Sequence, residues 1–231
     1  LEKERIKYTH SGVLSSSISI DKELSKKIFK KHSILTPKSI KLSNLNNTDI
    51  KRLITKIKKK LKFPVVIKPL NEGSSVGVYI CNKNNIKKNL KKLNLYSEIL
   101  IEKYIPGREI QAAILGKKRI GAIELIPKRK FYDYKAKYNK NAKTKHVMPA
   151  NISIKNYKIV NEISYKAHKL LKCRGVSRSD FRFYNNKFYL LELNTQPGMT
   201  ALSLVPEIAR YQNISFTELI EEIMRDASIN K

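Results

Sequence analysis

A chain of 231 residues is long enough to bury one large core or two small ones, and its 41% hydrophobic content includes no long uncharged apolar run able to span a membrane. Its two cysteines, Cys81 and Cys173, lie far apart and outside any CxxC or Cys/His cluster, which excludes a disulfide framework and leaves both expected reduced and buried, as in a cytoplasmic protein. The net charge of +29 admits a polyanion partner, but the excess is mostly lysine spread over helices, and abundant Asn and Ile point to a residue bias along the whole chain. No recognition-helix pattern, RNP-like aromatic strand or zinc spacing accompanies it. A basic nucleic-acid-binding module therefore ranks behind a reading in which the charge gathers small anionic substrates.

The opening LEKERIKYTH is neither a signal peptide nor an initiator-methionine start, so the chain reads as a segment of a longer one. Asp21 to Ser33 predicts a helix with Asp21 as N-cap and Leu24 and Ile28 inward. Pro37 begins a short extended piece. Thr48 to Leu61 predicts a second helix, with Ile50, Leu53, Ile54 and Ile57 at helical spacing and lysines opposite. Phe63 to Pro69 and Val76 to Cys81 read as strands around a glycine-bounded loop; Ile86, Leu90 and Leu93 mark a helix, and Glu98 to Tyr104 another strand. Pro106-Gly107 makes a turn and a candidate domain boundary. Beyond it, Glu109 to Leu115 and Arg119 to Ile126 read as a strand pair. Residues 128 to 151 lack periodicity and, inside a compact domain, read as a functional lid or a disordered stretch. A helix over Asn156 to Leu171, a hairpin carrying Asp180 and Glu192, and a C-terminal helix with Phe216, Leu219, Ile220 and Ile223 inward complete an α+β pattern.

The most informative stretch is FYLLELNTQPGMTALSL at 188 to 204. Glu192 and Asn194, two apart on a strand, share a face. A carboxylate in a strand with Tyr189, Leu190, Leu191 and Leu193 is costly unless paired or metal-bound. Ser177-Arg178-Ser179-Asp180 adds a second carboxylate and a guanidinium. Two carboxylates and an amide oxygen suit Mg²⁺, which takes its remaining ligands from phosphates and water. For the acids to converge, parity matters: a two-residue Asn185-Asn186 loop puts Asp180 and Glu192 on opposite faces, whereas an odd loop Tyr184-Asn185-Asn186, with Asn186 left-handed in a bulged turn, puts them on one. The odd loop is the expectation. Upstream, Asn71-Glu72-Gly73-Ser74-Ser75-Val76-Gly77 joins two strands with small residues whose N–H groups can cradle phosphate, and Lys68 points a cation toward it. Phe131 to Tyr138 opens the polar stretch and reads as the lid, carrying Lys137 to a γ-phosphate.

With these motifs in view, the chain resembles, over nearly its whole length, the central and C-terminal domains of D-alanine–D-alanine ligases in the ATP-grasp superfamily. The resemblance rests on Tyr8-Thr9-His10-Ser11-Gly12, Asp21-Lys22, the segment from Lys68-Pro69 to Gly77, Leu100 to Tyr104, FYDYKAKY at 131 to 138, SRSDF at 177 to 181, and ELNTQPGMT at 192 to 200 with Ser203-Leu204. Lys, Asp, Glu and Asn alone occur across ATP-grasp enzymes. The EGSSVG loop, FYDYKAKY and NTQPGMT are more specific.

The resemblance implies an ATP-grasp α+β fold in two subdomains, residues 11 to 105 and 106 to 231, after a short remnant of a further N-terminal domain at 1 to 10. It implies ligation of two D-alanines through an acyl phosphate for peptidoglycan precursors, using ATP and two Mg²⁺, with Mn²⁺ able to substitute. Asp180, Glu192 and Asn194 would hold the metal; Lys22 and Lys68 the α- and β-phosphates; Lys137 the γ-phosphate. Adenine would lie against Glu102, Lys103, Tyr104 and Ile105 with Phe131 and Leu191, and Glu109 would take the ribose. Arg178 and the Gly198 amide would stabilise the tetrahedral oxyanion, a donor role worth ~3 kcal/mol. Ser203 and the Leu204 amide would receive the second D-alanine's carboxylate. Ser74 and Tyr138 match positions that bridge the lid to the N-terminal domain, and tyrosine there resembles dipeptide-forming ligases more than D-lactate-using ones. Relatives are usually dimers. The family's glutamate that orients the first substrate precedes Leu1, so the expectation is a chain that binds ATP yet ligates weakly alone. Arg182 stands where many relatives carry an apolar residue; stacking on adenine and turning to solvent both remain open. Another ATP-grasp carboxylate–amine ligase is the alternative within the same class.

Overall fold

In the computed structural model of the chain, which describes residues 1–127, 144–200 and 203–229, Asp21 ends one helix and starts the next. The first, α1 (Val13–Ile20), has a serine-rich sequence with weak helix propensity and no periodic apolar face. Tertiary hydrogen bonds hold it: the Ser15 hydroxyl donates to the Lys172 carbonyl at 2.8 Å, and the Ser19 hydroxyl donates to the Leu193 carbonyl. The second, α2 (Lys22–Lys31), is capped by the Asp21 carboxylate, which accepts from the N–H groups of Glu23 and Leu24, each at 2.9 Å. Its buried residues are Lys22, Ser25, Lys26 and Phe29, while Leu24 is exposed and Ile28 half-buried, so the predicted inward face is corrected by a rotation about the helix axis. Two lysines can sit on the buried face because their ammonium groups reach oxygen partners beyond it.

The first sheet is antiparallel, in the order β1-β4-β2-β3, from β1 (Ser39–Ser43), β2 (Val65–Pro69), β3 (Tyr79–Cys81) and β4 (Glu98–Lys103). Strand β3 starts later than predicted, because Val76 and Val78 belong to the glycine-bounded loop. Helices α3 (Ile50–Lys60) and α4 (Ile86–Lys91) cover one face, packing Leu53, Ile57, Ile86 and Leu90 on Val65, Ile67, Ile99 and Ile101. Side chains alternate along strands, so Lys68 on β2 and Glu102 on β4 project from the opposite face.

The second sheet runs β7-β6-β5-β8-β9, from β5 (Arg108–Leu115), β6 (Lys118–Ile126), β7 (Lys145–Val147), β8 (Val176–Tyr184) and β9 (Lys187–Asn194). Strand β7 lies within a segment read as aperiodic, and residues 128–143 fall outside the described ones. Helix α5 (Ile154–Leu170) packs one face through Val160 and Ala167 against Ile110, Ala112, Ala122 and Phe181. Helices α6 (Leu204–Tyr211) and α7 (Phe216–Arg225) cover Ala113, Ile123 and Leu125 on the other. That second face continues into Glu109, Asp180, Arg182 and Glu192, which line a cavity instead of a core. On α7, Leu219 and Ile223 are buried as predicted, but Phe216 is exposed: it occupies the first helical position, before the apolar stripe meets the sheet.

Helix α7 begins with a capping box, the Ser215 hydroxyl accepting from the Glu218 N–H while the Glu218 carboxylate accepts from the Ser215 N–H at 2.7 Å. Ser215→Ala is expected to lower stability by about 1 kcal/mol in denaturant unfolding and to leave nucleotide binding unchanged.

Candidate active site

The hairpin of β8 and β9 departs from the expected loop. Tyr184 pairs directly with Lys187, and Asn185 (φ 48°) and Asn186 (φ 55°) are both left-handed, which makes a two-residue loop of the type I′ kind. The predicted odd loop is therefore wrong. Asp180 nonetheless stands directly opposite Glu192, because Phe181 pairs with Leu190 and the register then shifts, leaving Leu191 as one extra residue. This bulge supplies inside the strand the parity change that was assigned to the turn. One step further, Arg178 opposes Asn194, so four polar side chains share one face.

Asp180 is buried and takes a two-pronged contact from Arg178, Nε to Oδ1 at 2.8 Å and a terminal nitrogen to Oδ2 at 3.1 Å. Residues directly opposed on antiparallel strands have Cβ atoms about 5 Å apart, close enough for two carboxylates to share an ion. No group of three or more His, Cys, Asp or Glu suited to a metal occurs among the described residues. The donor set is thus two carboxylates and an amide, all oxygen, which fits a hard divalent cation that completes its shell with phosphate and water.

Across the cavity stand lysines. Glu102 is buried and pairs with two of them, Lys68 at 2.8 Å and Lys26. Lys26 also donates to the Pro37 carbonyl at 3.2 Å, and Lys22 donates to the carbonyls of Leu70 and Glu72. Burial would raise the Glu102 carboxyl, but Lys26 and Lys68 outweigh it and hold the pKa at about 2. Burial pushes Lys26 down to about 8, and it also lowers Lys22. Lys68 also bears a burial cost, yet Glu102, Glu192 and Asp180 bring it above the usual lysine value. One carboxylate serving two ammonium groups leaves positive charge in excess, and a phosphate chain is the natural complement. Lys26 is missing from the predicted site. It lies four residues after Lys22 on the same helix face, a spacing the sequence displays, but the misplaced inward face concealed it.

The cavity between the sheets brings together Lys22, Lys68, Glu102, Lys103, Tyr104, Ile105, Glu109, Asp180, Leu191 and Glu192 from the predicted set, with Pro37, Val66 and Val78 supplying apolar wall. Ser74 (φ 51°), Ser75 (φ 60°) and Gly77 (φ 67°) form a run of left-handed backbone in the adjoining loop. Asn194 lies in a neighbouring cleft shared with Lys22, Glu72 and Glu192. Gly198, Ser203 and Leu204 are grouped apart from the cavity: a Cβ on Gly198 would come within 2.8 Å of the Ser203 hydroxyl, that hydroxyl accepts the Thr200 N–H at 2.9 Å, and Leu204 is buried in the core beside α7. Phe131, Lys137 and Tyr138 fall outside the described residues. Arg182 is not in solvent. It lines the cavity, donating from Nε to the Ile105 carbonyl at 3.2 Å and contacting Glu109 at 3.3 Å.

Two antiparallel sheets enclosing a cavity, lysines on one and paired carboxylates on the other, define an ATP-grasp fold, and solved structures agree. D-alanine–D-alanine ligase from Bacillus anthracis superposes with a TM-score of 0.82 at 36% identity, over 95% of this chain and 71% of that one. The Bacillus anthracis enzyme complexed with ATP gives 0.79 at 30% identity, over 95% and 69%. The D-alanine–D-alanine ligase of Pelagibacter ubique (strain HTCC1062) is 62% identical over all of this chain and 75% of its own length. A family model described as D-ala D-ala ligase C-terminus matches residues 28–225. The chain belongs to the D-alanine–D-alanine ligase family.

Two predictions follow from the shared carboxylate. Glu102→Gln strands two buried ammonium groups and is expected to cost about 3–5 kcal/mol in denaturant unfolding, whereas Lys26→Met leaves the Glu102–Lys68 pair intact and should cost clearly less. Equal losses would show that the three groups do not act through Glu102. Secondly, the folded pKa of about 2 lies below the ordinary 4.5, so the stability Glu102 contributes is whole above pH 4.5 and lost as pH falls toward 2. The gap in unfolding free energy between the native chain and Glu102→Gln should narrow across that window.

Proposed function

We propose that the cavity binds ATP and that the chain catalyses ATP-dependent joining of two D-alanines to D-alanyl-D-alanine, a peptidoglycan precursor. The observation that carries this reading is the direct opposition of Asp180 and Glu192 across from Lys22 and Lys68, an anion-binding floor facing a cation-binding wall. The carboxylate of the first D-alanine attacks the γ-phosphorus, the bond to the β-bridging oxygen breaks, and ADP leaves behind an acyl phosphate. The amine of the second D-alanine then attacks the acyl carbon, inorganic phosphate departs, and the amine proton is lost as the amide forms.

The chain's own groups serve each step. Lys22 and Lys68 take the α- and β-phosphates, and Lys137 reaches the γ-phosphate. Asp180, Glu192 and Asn194 hold Mg²⁺, or Mn²⁺ in its place, which neutralises phosphate charge when bound. Adenine sits at Lys103 to Ile105 with Phe131 and Leu191, and Glu109 takes the ribose. Arg178, oriented by its fork on Asp180, and the Gly198 N–H stabilise the tetrahedral oxyanion. Ser203 and the Leu204 amide at the start of α6 receive the second carboxylate. Ser74 and Tyr138 would bridge the lid to the family's N-terminal domain. A cytoplasmic location, where ATP is available, and a homodimer belong to the same reading.

The test is phosphate release from ATP that requires both Mg²⁺ and D-alanine. Glu192→Gln should reduce it to background with an unchanged thermal melt; undiminished turnover would remove Glu192 from its role. Turnover with a different amino acid and none with D-alanine would point to another acceptor. Salt-sensitive RNA or DNA binding without ATP binding would overturn the enzyme reading.

A further inference from the structure

Among the described residues, Arg182 is the cavity-lining cation whose position no step of the reaction uses. It is a buried arginine on β8, opposite Glu109 on β5 and Tyr189 on β9. Its guanidinium makes three contacts on the side of the cavity away from the Asp180–Glu192 pair. Nε donates to the Ile105 carbonyl at 3.2 Å; a terminal nitrogen lies 3.3 Å from Glu109 Oε2; and the guanidinium carbon sits 6.0 Å from the centre of the Tyr104 ring. Both members of the Arg182–Glu109 pair are about a tenth exposed, so the contact is shielded from solvent screening. A guanidinium is planar and permanently charged, which lets it fix a carboxylate and a carbonyl at once where an ammonium would serve one well.

We propose that Arg182 is a positioning residue for the nucleoside half of ATP: it holds the Glu109 carboxylate and the Tyr104–Ile105 backbone in the geometry that receives the ribose and base. The proposal rests on the reading of the cavity as an ATP site and adds what sets its preference for a ribonucleotide. A carboxylate left to rotate pays ordering entropy on binding; one clamped in advance does not. The effect falls on nucleotide binding, because the contacts of Arg182 are with Ile105, Glu109 and Tyr104 and not with the Asp180–Glu192 pair.

The experiment compares the native chain with Arg182→Met, Arg182→Lys and, as a remote control, Arg119→Ala, which removes the Arg119–Glu162 pair on the other side of the second sheet. Steady-state kinetics with ATP and with 2′-deoxy-ATP are read beside direct nucleotide binding by calorimetry. For Arg182→Met the expected result is a rise in KM for ATP of about tenfold or more, the loss typical of a hydrogen bond to a charged group. Its kcat and its KM for D-alanine should stay within about twofold, and the preference for ATP over 2′-deoxy-ATP should shrink. Arg182→Lys should recover part of the affinity, and Arg119→Ala should change none of these values. In a double-mutant cycle, Glu109→Gln should add little to Arg182→Met. Unchanged ATP affinity in a folded Arg182→Met chain would overturn the proposal, as would a loss confined to kcat. If Arg182→Met does not fold, Arg182→Lys with full native affinity and native discrimination against 2′-deoxy-ATP overturns it equally. A native chain that binds ATP and releases phosphate with D-alanine keeps the ligase reading standing whatever the variants do; a native chain that binds no nucleotide removes both.

Discussion

Glu102 sits where helix α2 and strands β2 and β4 meet, and its carboxylate is shared by an ammonium group from each of the first two. Three charges in a dry place are tolerable only together: removing the acid leaves two cations in a medium that solvates them poorly, and removing both cations leaves a buried anion. The arrangement therefore fixes how α2 lies on the first sheet. It also fixes Lys68, whose ammonium is tied to Glu102 and aimed at the cavity instead of sweeping through solvent. Because one carboxylate answers two ammonium groups, the floor keeps a positive excess, with Lys22 beside it held by carbonyl oxygens. Fold stability and anion affinity are consequences of the same unequal count.

The opposite wall obeys a different constraint, the strict two-residue period of a strand. With a two-residue turn, an unbroken ladder would set Asp180 against Leu191 and send Glu192 to the face packed on α5. The extra residue at Leu191 prevents this. It moves Glu192 into opposition with Asp180 and, beyond it, Asn194 into opposition with Arg178, while Leu191 itself turns toward the cavity among the lining residues. Bulges concentrate next to functional sites because they re-aim side chains at small cost to the ladder. Here one inserted residue converts a hairpin that would bury one acid and expose another into a wall carrying both.

Legibility followed how local each signal is. Helix α3 was readable because Ile50, Leu53, Ile54 and Ile57 repeat at helical spacing; the capping role of Asp21 was readable because an Asp before an apolar-periodic run is a local helix start. Helix α1 was not, since its stability comes from Ser15 and Ser19 bonding to carbonyls more than 150 residues away, for which the sequence carries no periodic trace. The face of α2 was misread because hydrophobicity rules treat lysine as outward, and only the tertiary partner Glu102 reverses that. The convergence of Asp180 and Glu192 was legible from the cost of an acid in an apolar strand, yet the device achieving it was not: an odd turn and a bulge at Leu191 give the same parity, and Asn185-Asn186 suits either.

The bulk charge was the feature that pointed elsewhere, and burial explains why it misleads. Forty-eight basic residues make the surface strongly cationic, but a solvated lysine costs nothing and selects little. Among the described residues the buried lysines are Lys22, Lys26 and Lys68, and the buried arginine is Arg182. Lys22, Lys68 and Arg182 line the cavity, and Lys26 stands directly behind it on Glu102. Desolvating a cation is expensive enough that a chain keeps it only where an acid, a carbonyl or an incoming anion offsets the cost, so position in the dry interior separates these few from the many. A nucleic-acid surface would spread its cations over an accessible face. Among the described residues the buried cations gather in or directly behind a single cavity, around a space with the polar ends and apolar walls of a nucleotide.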